Sequence, residues 1–308
     1  MILCITPNPA IDRTIIVPTL VLGKVHRAEQ VIVAAGGKGL NVARAIRTLG
    51  GKSLCMGFAG GHNGRLLTDL AQNEGLQPSW TWINSETRTC VILVPQNGDA
   101  TEIDEPGMPV SKSDWKRLQQ DVSQYISSAG LLCMSGSLPP DSSVDDLQGL
   151  LRILVDSGKQ LWVDTSGTAL NAVLSYPGVS IKVNGDEIGK ALGLEVRDIA
   201  SAKNALILLA ERGVSNCMIT LGNTGALLAT PDGRWYAWGP RVPVVSTIGS
   251  GDSFLGGFVS ALDGRKELPD ALSDAIAAGT ANTLSAGGGQ FAFEEFKSIR
   301  EQIQIQAW

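Results

Sequence analysis

Short apolar runs alternate with amphipathic stretches along most of this chain, and no other feature restricts the fold as tightly. Ile2–Thr6, Leu54–Phe58, Leu131–Met134, Leu161–Asp164, Ile181–Val183, Cys217–Leu221 and Ala226–Thr230 read as strands. Arg65–Glu74, Ser111–Ser127, Val144–Asp156, Glu187–Leu192, Ala200–Arg212, Asp270–Leu284 and Glu294–Gln304 read as helices. Such alternation predicts an α/β fold: a mostly parallel central sheet with helices on both faces, a three-layer sandwich. Two extended, helix-poor regions, about 13–33 and 78–105, break the rhythm. They would pair best with each other as a small separate sheet, a β lid. Trp80 and Trp82 alternate with Thr81 in the second region and are assigned to packing. No repeat, low-complexity tract or linker intervenes, so residues 1–308 are expected to form a single domain carrying that lid.

Two glycine-rich turns open helices. In Ser246–Leu262, the apolar residues Phe254, Leu255, Phe258, Val259 and Leu262 recur at helical spacing behind Gly249-Ser250-Gly251-Asp252. Val242, Val244 and Val245 lead in as a β-type segment broken by Pro243. Glycines let backbone N–H groups approach a ligand closely, and a helix N-terminus adds unpaired donors and partial positive charge, which suits phosphate. Asp252 has two readings there: an N-cap, a role aspartate favours, or a carboxylate that must touch a hydroxyl attacking the phosphate. The second turn is Ala34–Asn41, carrying Lys38 and Asn41 into a helix that runs to Leu49.

Charge and motifs exclude several classes. A net charge of −5 argues against nucleic acid as the main partner. The five cysteines lack any C-x-x-C pair and read as free thiols of a reducing cytosol. Two histidines are too few for a histidine-based metal site. No basic leader precedes an apolar core, and no apolar run approaches about 18 residues, so neither a signal peptide nor a transmembrane helix is expected. A cytoplasmic location follows as the expectation. No G-x-x-x-x-G-K-[ST] occurs, and no G-x-G-x-x-G follows the first strand.

What remains is a set of polar groups at strand ends: Asp12, Lys38, Asn41, Arg88, Ser137, Asp164, Asn184, Glu187, Thr220, Gly222 and Asp252. Each has a plain structural reading. Asn184 with Glu187 three residues later looks like a capping box. Jointly, strand ends on one edge of a parallel sheet converge on one crevice.

Several motifs then carry a resemblance: Asn8-Pro9-Ala10-Ile11-Asp12, Gly36-Gly37-Lys38-Gly39-Leu40-Asn41-Val42-Ala43, Thr87-Arg88-Thr89, Ser135-Gly136-Ser137-Leu138-Pro139, Asp164-Thr165-Ser166-Gly167, Lys182-Val183-Asn184-Gly185-Asp186-Glu187, Leu221-Gly222 and Gly249–Asp252. In this order and spacing the chain resembles, nearly end to end, the ribokinase-like PfkB family of sugar kinases, and within it the hexose-phosphate kinase branch. The resemblance implies an α/β sandwich with a small β lid. It implies that Asp252 is the general base, with the N–H groups of Gly249, Ser250, Gly251 and Asp252 holding the transferring phosphoryl group. Asp12, Gly37 and Asn41 would hold sugar hydroxyls; Lys24, Lys38, Arg88 and Ser137 would hold the phosphate already on the sugar. Asn184, Thr220, Gly222 and Asn282 would contact ATP, and Glu187 would meet Mg²⁺ through water.

Two departures from the family pattern stand out: Ser250 where alanine is usual and Val183 where proline is usual. Neither removes a reacting group. The implied reaction is ATP-dependent phosphorylation of a ketohexose phosphate, fructose 1-phosphate to fructose 1,6-bisphosphate first, with tagatose 6-phosphate and fructose 6-phosphate as alternative substrates. Lys38 in Gly-Gly-Lys-Gly and the segment Glu102–Gly107 favour that order. Rivals are a sugar-phosphate sensor on the same fold, disfavoured because Asp252, Glu187 and the glycines are all present, and a dehydrogenase, disfavoured by the missing dinucleotide fingerprint. The lid's exposed strand edges invite a homodimer.

Overall fold

The computed structural model describes residues 1–96 and 100–308; the part of the expected lid at 97–99 lies outside the described residues. In chain order the elements are β1 Ile2–Thr6, β2 Ala10–Val17, β3 Gln30–Gly36, α1 Lys38–Thr48, β4 Ser53–Gly60, α2 Gly61–Asn73, β5 Pro78–Ile83, β6 Arg88–Pro95, β7 Thr101–Asp104, α3 Lys112–Ile126, β8 Leu131–Ser135 and α4 Val144–Asp156. They continue with β9 Leu161–Asp164, α5 Gly167–Leu174, β10 Ser180–Asn184, α6 Gly185–Leu192, α7 Ile199–Glu211, β11 Cys217–Thr220, β12 Ala226–Thr230, β13 Gly233–Trp238, α8 Ser250–Asp263, α9 Leu268–Asn282, α10 Phe293–Arg300 and β14 Gln304–Ala307.

Ten strands form one sheet in the order β14-β13-β12-β11-β10-β9-β8-β1-β4-β5. From β5 to β11 all neighbours are parallel; β12, β13 and β14 add an antiparallel edge. The central strands are continuous apolar runs because helices cover both faces. In β1 the alternation is direct: Leu3 and Ile5 enter the core shared with α3 to α7, Ile2 and Cys4 the core shared with α1, α2, α8 and α9. These are the three expected layers. On the second face Trp162 meets the ring of Phe258 edge-on at 4.8 Å. Ser111, Ser143, Asn184 and Asp198 start α3, α4, α6 and α7 through reciprocal capping boxes.

β1 is flanked by β4 on one side and β8 on the other, so connections leave it in opposite directions. The crevice beyond the C-terminal strand ends at such a switch is where open α/β sheets bind ligands. From that edge rises a second sheet in the order β3-β2-β6-β7. β2 follows β1 after three residues and β3 runs directly into α1.

The structure departs from expectation in several places. Pro78–Ile83 is not part of the small sheet; it pairs with β4 at the edge of the large one. There Thr81 is buried and Trp82 is exposed, so the pleat of that strand turns its hydroxyl inward. Residues 242–245 form no strand, as Pro243 lacks an N–H to donate. The C-terminal helix stops at Arg300, giving way to β14. α5 and β13 have no counterpart among the expected elements.

Candidate active site

Gly249 is the N-cap of α8, in the left-handed region at φ 73°. A Cβ there would sit 2.5 Å from the Cα of Gly288, so this turn accepts only glycine. No side chain caps α8. The Ser250 N–H turns back to the Thr247 carbonyl at 3.2 Å, no side chain takes the N–H groups of Gly251 and Asp252, and the Asp252 carboxylate is not spent on them. The Asp252 carboxylate is buried, and its Oδ2 accepts a 2.8 Å hydrogen bond from Asn41 Nδ2. The capping reading of Asp252 therefore fails. Burial pushes its pKa above the ordinary value, with help from the nearby Asp164 charge; Lys38, Lys182 and the Asn41 amide oppose the rise. A carboxylate that holds a proton more readily than usual is suited to general-base work.

Asp164, at the end of β9, is fully buried and divides its two oxygens between two lysines. Oδ2 meets Lys182 Nζ at 2.6 Å and Oδ1 meets Lys38 Nζ at 3.3 Å. Burial alone would raise Asp164, but Lys182 and Lys38 outweigh it and hold the carboxyl below its ordinary pKa. In return Asp164 holds Lys38 above the usual lysine value. Lys182 lies under the first turn of α8: a Cβ on Gly251 would come within 2.8 Å of its Nζ. Lys38 also reaches Glu187 Oε1 at 3.9 Å, with its side chain 40% exposed. Two cations thus stand at the uncapped end of α8, arranged by one carboxylate.

A cavity of about 360 Å³ opens on the other side of that end. Thr220, Gly222, Thr247, Ser250 and Gly251 line its polar part, and Val242, Val244, Phe254 and Ile276 its apolar part. An apolar chamber that ends on free helix N–H groups fits a nucleotide whose base is buried and whose phosphates face α8.

Arg88 donates from Nη1 to the carbonyl of Glu105 at 2.9 Å and from Nη2 to that of Asn8 at 3.2 Å. Asn8 Nδ2 in turn lies 3.3 Å from Ser137 Oγ, which links the expected phosphate residues. Asp12 packs against Gly36, where a Cβ would come 2.1 Å from its Oδ1. Burial lifts Asp12 to a pKa of about 7 against the pull of Arg44. Gly37 opens α1 at φ 113°.

Three of the expected ligand residues stand apart from the cavity or have protein partners. Asn282 lies outside the cavity: it is fully buried, accepting from Ser253 Oγ at 2.9 Å and donating to the Ile248 carbonyl at 2.8 Å. It braces the α8 turn, while Gly279 and Thr280 of the same helix do line the cavity. The Asn184 side chain is occupied as the cap of α6, with Glu187 Oε2 accepting from its N–H at 2.9 Å. Lys24 is exposed in the loop between β2 and β3, where its backbone N–H donates to the Val21 carbonyl at 3.3 Å.

Sequence reading places Asp164 among the strand-end groups without a specific role, and singles out neither Lys182 nor Arg44 as a site residue. A signal was present: Trp162-Val163-Asp164 and Ile181-Lys182-Val183 set a charge inside an apolar strand, and a buried charge needs a partner. For divalent metal, the described residues hold no cluster of three or more candidate ligands. Glu187 alone fits a metal carried on phosphates and keeping its waters.

Comparison with known proteins agrees with this geometry. The family model described as pfkB family carbohydrate kinase matches residues 6–294. A 1-phosphofructokinase of Vibrio cholerae is 30% identical over 306 residues, 99% of this chain and 96% of that protein. The phosphofructokinase-2 of Escherichia coli, solved in complex with potassium, superposes with a TM-score of 0.91 at 27% identity, covering 98% of both chains. An Arabidopsis thaliana ribokinase solved with ribose and ATP shares the fold at a TM-score of 0.76 and 19% identity, covering 97% of this chain and 98% of that one.

Proposed function

The chain belongs to the PfkB family of carbohydrate kinases, and from that premise we propose that it phosphorylates fructose 1-phosphate with ATP to give fructose 1,6-bisphosphate. It is a phosphotransferase with an alcohol acceptor, a kinase of sugar phosphates. The observation that carries the reading is the uncapped start of α8, with Asp252 buried beside it, between the nucleotide cavity and the lysine pair.

The sugar's free primary hydroxyl lies against Asp252. Asn41 occupies Oδ2, which leaves Oδ1 to take the hydroxyl proton as the oxygen attacks the γ-phosphate in line. The N–H groups of Gly249, Gly251 and Asp252 receive the charge that develops on the transferring group, while that of Ser250 is held by the Thr247 carbonyl. Lys182 adds a buried cation at the same place. Lys38, Arg88 and Ser137 hold the phosphate already on the sugar; arginine suits bidentate contact with phosphate and lysine supplies a point charge. Asp12, Gly37 and the remaining N–H of Asn41 face the sugar hydroxyls. Thr220 and Gly222 face the nucleotide. Glu187 would help hold Mg²⁺, which when bound would supply charge neutralisation on the phosphates.

The small sheet supports a homodimer. Leu22, Val25, Val31 and Ile103 are exposed on it or on its connecting loop, a concentration of apolar surface that a second copy would cover. Among the described residues no helix is long and apolar enough to cross a membrane.

The test is ATP turnover with Mg²⁺ against fructose 1-phosphate, tagatose 6-phosphate, fructose 6-phosphate and fructose. Preference for fructose 1-phosphate is expected. Turnover of the neutral sugar alone would mean that Lys38 and Arg88 do not bind a substrate phosphate.

A further inference from the structure

Behind Asp252 lies a chain of polar side chains that the reaction scheme does not use. Arg44, on the second turn of α1, is 3% exposed. Its Nη1 donates to Asn41 Oδ1 at 2.6 Å and to the Gly288 carbonyl at 2.9 Å. Its Nε donates to Glu74 Oε2 at 2.6 Å, and its Nη2 donates to the Ala35 carbonyl. Glu74 closes the loop by accepting from the Ala35 N–H at 3.1 Å through Oε1.

The chemistry of the donors fixes a direction. A guanidinium can only donate, so the Asn41 atom facing Arg44 must be the carbonyl oxygen. The amide nitrogen then faces Asp252, and it donates there. Without Arg44 the amide could turn over and present its oxygen to the carboxylate, a repulsive contact. Arg44 also grips the Gly288 carbonyl, and Gly288 is the backbone against which Gly249 packs. One side chain therefore holds both the partner of the base and the wall of the turn that starts α8.

We propose that Arg44 is a positioning residue for Asp252, acting through the Asn41 amide, with Glu74 as its outer anchor. The proposal rests on Asp252 as the general base. Arg44 touches neither substrate; it determines which oxygen of Asp252 is free and where that oxygen points.

The experiment compares wild type, Arg44→Lys and Asp252→Asn, all full-length, by steady-state kinetics with fructose 1-phosphate and ATP, with thermal unfolding run alongside. Lysine keeps the charge near Glu74 but cannot serve Asn41, Gly288 and Ala35 together. Arg44→Lys should lose roughly 10- to 100-fold in kcat, as expected for a displaced catalytic group, with KM for ATP within about twofold of wild type. The acidic limb of its kcat profile should move to higher pH, because a lost hydrogen bond to a carboxylate favours the protonated form. Lys38, Asp164, Lys182 and Glu102 also act on Asp252, and all are unchanged in this variant. A merely structural Arg44 would lower the melting temperature and leave kcat and the limb in place, which overturns the proposal. Turnover in Asp252→Asn near the wild-type rate overturns the base assignment and the proposal with it. An inactive Asp252→Asn beside a fully active Arg44→Lys overturns the proposal alone. Should Arg44→Lys fail to fold, Glu74→Gln carries the same test: a lower kcat at unchanged KM for ATP supports the relay, and an unchanged kcat contradicts it.

Discussion

Two helices of this molecule, α1 and α8, start from similar glycine-rich turns and pack against each other, yet their ends bear opposite charges. At α1, Gly37 is the cap and Lys38 the first helical residue. At α8, Gly249 is the cap and Asp252 lies in the first turn. A cation at a helix N-terminus works against the helix dipole, so Lys38 does not serve the stability of α1. Asp164 and Glu187 compensate it from other elements. Asp252 has the favourable sign, but it is buried and gives its oxygen to Asn41 rather than to the helix N–H groups. In both cases the charge is arranged for something other than the helix that carries it. In the proposed reaction the α1 start would face the phosphosugar, and the α8 start the group being transferred.

Substitutions can break that division. The largest effect is expected for Gly249→Ala: the left-handed backbone and the 2.5 Å approach to Gly288 leave no room for a Cβ. A loss in kcat on the order of 100-fold or more, with KM for the phosphosugar little changed, is the expected kinetic pattern. Gly37→Ala, at φ 113° and 2.9 Å from Thr6 Cγ2, should cost about 1–3 kcal/mol in chemical denaturation. Its kinetic defect should appear in the phosphosugar KM; a pure kcat defect would erase the distinction between the two turns. Lys38→Gln should raise the phosphosugar KM roughly 10-fold, the scale of a lost charge-assisted hydrogen bond, and the ATP KM less. Equal changes in both would place Lys38 on the nucleotide.

The smallest effect concerns Asp12, which walls the α1 turn through Gly36. Its pKa of about 7 lies above the ordinary 3.8. The folded chain therefore keeps a proton that the unfolded chain has released between those values. Stability contributed by protonated Asp12 is fully present below about pH 4 and is lost as pH rises through 7. Asp12→Asn should melt higher than wild type at pH 8, by about 1–3 kcal/mol of stability, and the gap should narrow at pH 5.5. A gap independent of pH would contradict the buried, proton-holding state.

Much of this was legible in the sequence because the layers depend on local pattern. β1, α4, β9 and β12 fall on the expected residues, and the apolar alternation gave three layers with a small added sheet. Other elements were not legible for physical reasons. Gln304–Ala307 lacks a turn signal of its own and becomes a strand by pairing with β13. Pro78–Ile83 is extended as expected, but only tertiary pairing decides which sheet it joins. In the candidate site, Asp252, Lys38 and Gly222 stand in motifs and Thr220 beside one, and Thr220 and Gly222 line the cavity. The Asp164–Lys182 pair joins neighbouring strands, and Arg44 reaches Gly288 across 244 positions; spacing along the chain carries no trace of such contacts. Asn282 shows the reverse failure, a polar residue at the expected place whose amide is consumed by the fold.

The central claim is that Asp252 moves a proton and does not hold the structure or the substrates together. Asp252→Asn keeps the shape and removes the base, so the direct measurement is its turnover together with calorimetric binding of fructose 1-phosphate. The account predicts turnover reduced by about 1,000-fold or more with phosphosugar affinity close to wild type. Turnover near the wild-type rate would contradict it.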